Sequence, residues 1–204
     1  MAVVVSSPKS SELGSAAEVL AQAFSQDPMV CSILRMLQPN RRLLKLRNMF
    51  EVSLQRRVPG RIELCLKDGG EVRSVALLYS PGRYPPPIFW ELSVLLRCIF
   101  RAGFRGLPGW LTWSNSIRRR HPVEPHYYLE ILGTHPAFQG NGFGSMLMEE
   151  ICSLAEKAGK ICYLETSNPR NLSFYKAFGF EPVASESILG VETWYLTRLV
   201  CQGG

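Results

Sequence analysis

Between residues 139 and 144 the chain reads Gln139-Gly140-Asn141-Gly142-Phe143-Gly144, and no other stretch restricts the fold as much. Before it lies an apolar, β-rich run, Tyr127-Tyr128-Leu129-Glu130-Ile131-Leu132. After it, from Ser145 to Gly159, Leu147, Met148, Ile151, Leu154, Ala155 and Ala158 recur at helical spacing. Strand, glycine loop and helix in that order form an anion cradle. Glycines let the main chain bend tightly and approach a ligand. The first amides of the helix have no internal partner, and the helix dipole adds positive charge at the same end. A P-loop is excluded, because Ser145-Met146 follow Gly144 and the next lysine is Lys157. A dinucleotide fingerprint is also excluded: its third glycine would fall one place later, and only about 60 residues follow, too few for further βα units. The loop alone still admits a plain turn with no ligand.

The downstream residues argue against the plain turn. Ile161-Cys162-Tyr163-Leu164-Glu165-Thr166 reads as a strand. Asn168-Pro169 then predicts a helix start, with Asn168 as the cap, and Gly179 a stop, around the pair Phe174-Tyr175. Together the two segments resemble the GNAT superfamily of N-acetyltransferases. Gln139-x-x-Gly142-x-Gly144 is similar to its acetyl-CoA pyrophosphate signature, and Asn168 through Phe180 to its Asn, Phe-Tyr, Gly-Phe segment. Leu164-Glu165-Thr166-Ser167 with Asn168-Pro169-Arg170-Asn171, and Thr193 to Arg198, look most like the puromycin N-acetyltransferase group.

That resemblance implies an acetyl-CoA-dependent N-acetyltransferase acting on the amine of a small molecule by direct ternary-complex transfer. A protein or peptide N-acetyltransferase and a non-catalytic acyl-CoA-binding module are the alternatives. It implies that Gln139, Gly140, Asn141, Gly142, Phe143, Gly144 and Ser145 hold the pyrophosphate, that Leu132, Gly133 and Thr134 pair with the pantetheine arm, and that Asn168 bonds to CoA. Tyr175 becomes the general acid for the departing sulfur, since a phenol (pKa near 10) and an alkyl thiol (near 8.5) are close enough for proton transfer. Glu130 is the expected base, with Glu165 as second choice and a water relay as a third route. Strict alternation would put Glu130 on the face of Tyr128 and Leu132.

The rest of the chain bounds this reading. Its 204 residues, 46% hydrophobic, suit one acetyltransferase domain over 1–204: an α/β (α+β sandwich) fold with a GNAT-like mixed sheet flanked by helices. Within it, 127–180 is the expected acetyl-CoA-binding core. Residues 81–126 are a proline-rich loop and helical insert, expected over the acceptor site, whose aromatics (Phe89, Trp90, Phe100, Phe104, Trp110, Trp113) suit an apolar amine. Arginines at 97, 101 and 105 also suit a segment lying on a membrane. The net charge of +6 suits a polyanionic cofactor, and no nucleic-acid motif accompanies it. Six cysteines without C-x-x-C, and three scattered histidines, predict reduced thiols and no metal site. No run is long enough to span a bilayer, and Met1 to Ser6 reads as a strand and not a leader. The expected setting is cytoplasmic, with no nucleic acid, no membrane insertion and at most a second copy of the chain as partner.

Overall fold

Two glycines with positive φ, Gly69 at 62° and Gly70 at 84°, close a tight hairpin between β2 (Arg61–Asp68) and β3 (Glu71–Tyr79). The structure, a computed structural model, describes residues 3–199; Met1, Ala2 and Cys201 lie outside them. Around the hairpin a seven-stranded sheet grows in the order β1-β2-β3-β4-β5-β7-β6. β1 is Val4–Ser6, β4 Tyr127–Thr134, β5 Cys162–Thr166, β6 Glu181–Ile188 and β7 Val191–Arg198. All neighbours are antiparallel except β4 and β5, which run parallel through a helical crossover. The mixed α/β architecture expected from the sequence is the one observed.

Helices cover both faces. On one, α6 (Phe143–Lys157) and α7 (Asn171–Ala177) pack through Leu147, Met148, Ile151 and Tyr175 against Leu66, Leu78, Leu129 and Leu164. On the other, α1 (Leu13–Phe24) buries Ala16, Ala17 and Leu20 against Val75 and Leu77. α2 (Pro28–Ile33) and α3 (Pro39–Gln55) continue that layer, followed by α4 (Ile88–Ala102) and α5 (Leu107–Arg120). The pair Asp27-Pro28 follows the end of α1. It also starts α2, because the Asp27 carboxylate accepts from the amides of Met29 (3.0 Å) and Val30 (3.1 Å). β6 carries no sequence signal, since one alternation of it is exposed and it pairs only with β7. No helix among the described residues is long and apolar enough to cross a membrane.

Candidate active site

Two strands that part company make the centre of the site. β4 and β5 pair at Tyr127–Cys162, Tyr128–Tyr163 and Leu129–Leu164, and there the parallel ladder stops. Beyond Leu129, β4 runs on to Thr134 beside β3 alone, so the edge facing β5 keeps unpaired main-chain groups. An extended ligand arm can add to such an edge as a strand would. This is where Leu132, Gly133 and Thr134 lie. The Thr134 carbonyl already accepts from the Gln139 side chain (3.2 Å), which ties the glycine loop to the strand end.

The loop itself is an open cradle. Helix α6 starts at Phe143, two residues earlier than the periodicity suggests, because Gly142 takes φ 78° and serves as its N-cap. No side chain caps that end. The amides of Phe143, Gly144 and Ser145 therefore occupy the first turn without an intrahelical partner. A Cβ added at Gly140 or Gly142 would meet nothing within 4 Å, so both residues border free space. Gly144 serves differently. A Cβ there would come within 3.3 Å of Thr134 Oγ1 and 3.7 Å of Phe174, so this glycine lets α6 close on β4 and α7. Asn141 donates to the Phe138 carbonyl (3.1 Å), and the Arg73 guanidinium stacks on Phe138 (3.9 Å), bringing a positive charge beside the loop. Chemically the cradle fits a diphosphate: free amides, a helix dipole and room.

Tyr175 is buried on α7, in the cluster that includes Leu129 and Leu164, the last pair before the strands separate. Burial pushes its phenol pKa upward, and the charge of Glu165 adds to the effect. Asn168 does not cap α7. The helix begins at Asn171, and the Asn168 carboxamide oxygen instead accepts from the Arg170 amide (3.1 Å), forming a turn that precedes the helix. Pro169 starts that turn and not the first helical turn.

The two carboxylates separate. Glu130 lies on the face of Tyr128, but Leu132 does not share it. The β3–β4 register runs Leu77–Ile131 and then Leu78–Leu129, which leaves Glu130 as the extra residue of a β-bulge. Tyr128 consequently faces the aromatic cluster of α5, whereas Leu132 packs with α6 on the opposite face. Glu130 is turned to the wall of a cavity of about 550 Å³ that also touches Tyr79, Tyr84 and Arg61. Burial raises its pKa, and Arg61 opposes that. Glu165 lies one residue past the last β4–β5 pair, and its Oε1 accepts from the Tyr128 hydroxyl at 2.6 Å. Its other oxygen is buried without a partner. Desolvation outweighs the Tyr128 bond, and the pKa of Glu165 is pushed up to about 8.

Sequence reasoning missed the surroundings of this carboxylate. His121, at the end of α5, stacks on Tyr84 (ring centroids 4.3 Å apart) and meets Tyr128 (4.5 Å) and Tyr163 (4.9 Å) edge-on. Its Nδ1 is 3.1 Å from the Ile117 carbonyl, its Nε2 is buried and unpartnered, and burial lowers its pKa to about 4. These residues come from four separate elements, so no local spacing announces them. Among the described residues there is no group of three His, Cys, Asp or Glu side chains that could hold a metal ion. Five cysteines are free thiols.

With this geometry in place, similarity to known proteins narrows the chemistry. Residues 108–180 match the acetyltransferase (GNAT) family. A 71-residue stretch is 37% identical to N-alpha-acetyltransferase RimI of Mycobacterium tuberculosis; it makes up 34% of this chain and spans 42% of that relative's length. Over whole chains, a histone acetyltransferase HPA2 and related acetyltransferase from Corynebacterium glutamicum superposes with a TM-score of 0.75 at 22% identity, covering 100% of this chain and 99% of that one. The PaiA N-acetyltransferase of Thermoplasma acidophilum, in complex with coenzyme A, gives a TM-score of 0.56 at 12% identity, covering 98% and 99%. At such identities the superpositions establish the fold.

Proposed function

We propose that this chain, whose residues 108–180 match the acetyltransferase (GNAT) family and whose fold is that of acetyltransferase structures, moves an acetyl group from acetyl-CoA to the amine of a small molecule. The observation that carries the reading is the joint placement of an uncapped, open helix start at Gly142–Ser145 and a strand edge free from Glu130 to Thr134, both leading to the point where β4 and β5 separate. Gln139 to Ser145 would hold the diphosphate, and Leu132, Gly133 and Thr134 the pantetheine amides. Asn168 has its carboxamide oxygen engaged, so only its N–H₂ remains for CoA.

Bound acetyl-CoA supplies an activated thioester; the remaining chemistry falls to side chains on opposite faces of the sheet. Glu165, on the Tyr128 face, takes the proton of the incoming amine, and its raised pKa makes it a competent base at mildly alkaline pH. The amine nitrogen forms its bond to the carbonyl carbon, the C–S bond breaks, and Tyr175, on the α6 face, gives its proton to the sulfur. Glu165 is preferred over Glu130 as base because it lies one residue past the last β4–β5 pair, at the point where the strands separate. Acetyl amide and CoA thiol leave, and the protons on Glu165 and Tyr175 re-equilibrate with water.

The small-molecule acceptor, and the likeness to the puromycin group, rest on the Leu164–Asn171 pattern and on the helical insert of α4 and α5. A protein N-terminal amine is the second reading, favoured by the RimI match. Thiol release from acetyl-CoA, measured against a panel of small amines and N-terminal peptides, tests both. Turnover with small amines supports the first reading, turnover with peptides alone replaces it with the second, and release with neither refutes the enzyme.

A further inference from the structure

The cavity beside Glu130 has a makeup that goes beyond an unspecified amine. It occupies about 550 Å³ between α3, α4, α5 and the β3–β4 bulge, room for a ligand of two to three fused rings. Its walls are apolar and aromatic: Tyr79, Tyr84, Trp90, Leu95, Trp110 and Trp113. Most charged groups on it are already answered. Arg118 pairs with Glu91, Arg61 with Glu63 at 2.6 Å, and Lys45 donates to the carbonyls of Ala102 and Gly103, both at 2.6 Å. Arg105 lies exposed at the rim.

Four lining residues carry a buried polar atom without a hydrogen-bond partner: Arg61 Nε, Glu130 Oε2 and the indole nitrogens of Trp110 and Trp113. Such atoms are uncommon, and four beside one cavity set this wall apart. Glu130 is only partly buried, and its Oε1 is neither bonded nor among the buried atoms, so a ligand in the cavity can meet the carboxylate there. The β3–β4 bulge at Glu130 leaves it on the Tyr79 side of the sheet, facing this space. Tyr84 links the cavity to the reaction centre: it lines the wall, and its ring lies 4.6 Å from that of Tyr128, whose hydroxyl holds Glu165.

We infer that this cavity is the acceptor pocket, and that its occupant is a cationic amine on a flat apolar body, with Glu130 as counter-charge and the Tyr84, Trp90, Trp110 and Trp113 rings as walls for the body. This deepens the acetyl-transfer reading and rests on it for the fate of the amine, but binding itself needs no acetyl-CoA. Glu130 is thus a specificity residue and not the base. A polyamine lacks the body, and a peptide N-terminus presents too little apolar surface to fill the space.

Calorimetry on the unliganded protein tests the pocket directly. The probes are 2-(6-methoxynaphthalen-1-yl)ethylamine, the corresponding ethanol, and spermidine. The amine binds more tightly than the alcohol, and spermidine gives no heat. Glu130→Gln weakens the amine about tenfold, the equivalent of one charge-assisted bond, and leaves the alcohol unchanged. Leu95→Trp, which fills the cavity, abolishes binding of both naphthyl probes while CoA affinity and the melting temperature stay as in the parent. Equal affinity for amine and alcohol, or amine binding that survives Leu95→Trp, overturns the assignment. Thiol release separates the two claims. Naphthyl amine bound in the pocket but never acetylated leaves the pocket standing and refutes acetyl transfer. Turnover of a peptide while the naphthyl amine neither binds nor reacts does the reverse.

Discussion

Around the cradle in residues 127–180 the polar atoms left free belong to the main chain: the first amides of α6 and the outer edge of β4. In residues 81–126, and on the face of the strands beneath them, they belong to side chains, among them Arg61, Trp110, Trp113, His121, His126, Glu130 and Glu165. The difference separates what is generic from what is particular. Main-chain groups at a helix start bind any diphosphate, and their placement depends on a few glycines within one short loop. An aromatic pocket is particular to one ligand, and here its walls come from α3, α4, α5 and three strands. Similarity to other proteins has the same asymmetry: the family match covers 108–180, which contains all of the first region and only the α5 side of the second.

The largest expected effect breaks the first region alone. Gly142→Val puts a β-branched residue at φ 78°, a conformation L residues avoid, and directs its side chain into the open space of the cradle. CoA affinity should fall at least about a hundredfold, the scale of two or three charge-assisted bonds. The naphthyl amine should still bind. Calorimetry with both ligands reads the outcome, and undiminished CoA affinity in a folded variant would remove the cradle.

The next effect lies where the regions meet. Tyr175→Phe deletes one hydroxyl and little packing, so stability and CoA affinity should hold while kcat falls about a hundredfold. Full activity would take the acid role from Tyr175. Glu165→Gln probes the other face, and its signature is in pH. The folded pKa is about 8 against an ordinary 4.5, so the base form appears only as pH rises through about 8, and kcat of the parent should climb there. The same shift sets a stability slope. A carboxyl that holds its proton more tightly when folded contributes stability fully present below pH 4.5 and lost as pH rises from 4.5 to 8. Glu165→Gln should therefore abolish the alkaline rise in kcat and raise the melting temperature at pH 8.5 by about 4 °C, as followed by circular dichroism. A variant that keeps the pH–rate profile would transfer the proton elsewhere, and His121, held neutral by a pKa near 4, becomes the group to examine.

Legibility followed the same division. The glycine loop, β4, β5 and the Phe174-Tyr175 helix stood out because each is specified by neighbours in sequence: glycines for φ, period for the helix, Gly179 for the stop. The face of Leu132 was misplaced because a bulge is a property of two strands; nothing in Tyr127–Thr134 alone reveals that β3 skips Glu130. The Tyr84, His121, Tyr128 and Glu165 cluster was invisible for a related reason, since those groups meet only after the sheet and α5 have docked. β6 was missed because an edge strand with little buried surface needs no apolar alternation. Trp110 and Trp113 were visible as residues, but not as neighbours on one cavity wall.

Asn168 offers the smallest effect and the finest test of where the first region ends. The capping rule made it a helix cap and the family resemblance a CoA ligand, yet its oxygen is spent on the Arg170 amide at 3.1 Å, inside a turn. If that is its whole contribution, Asn168→Ala costs about 1 kcal/mol of stability, seen as a lower urea midpoint, and shifts CoA affinity less than about threefold. If its N–H₂ group also reaches CoA, affinity falls further while Asn168→Asp, which keeps the acceptor and loses the donor, restores stability and not binding. The two substitutions together place Asn168 either with the main-chain scaffold that surrounds the cradle or among the few side chains that recognise the cofactor directly.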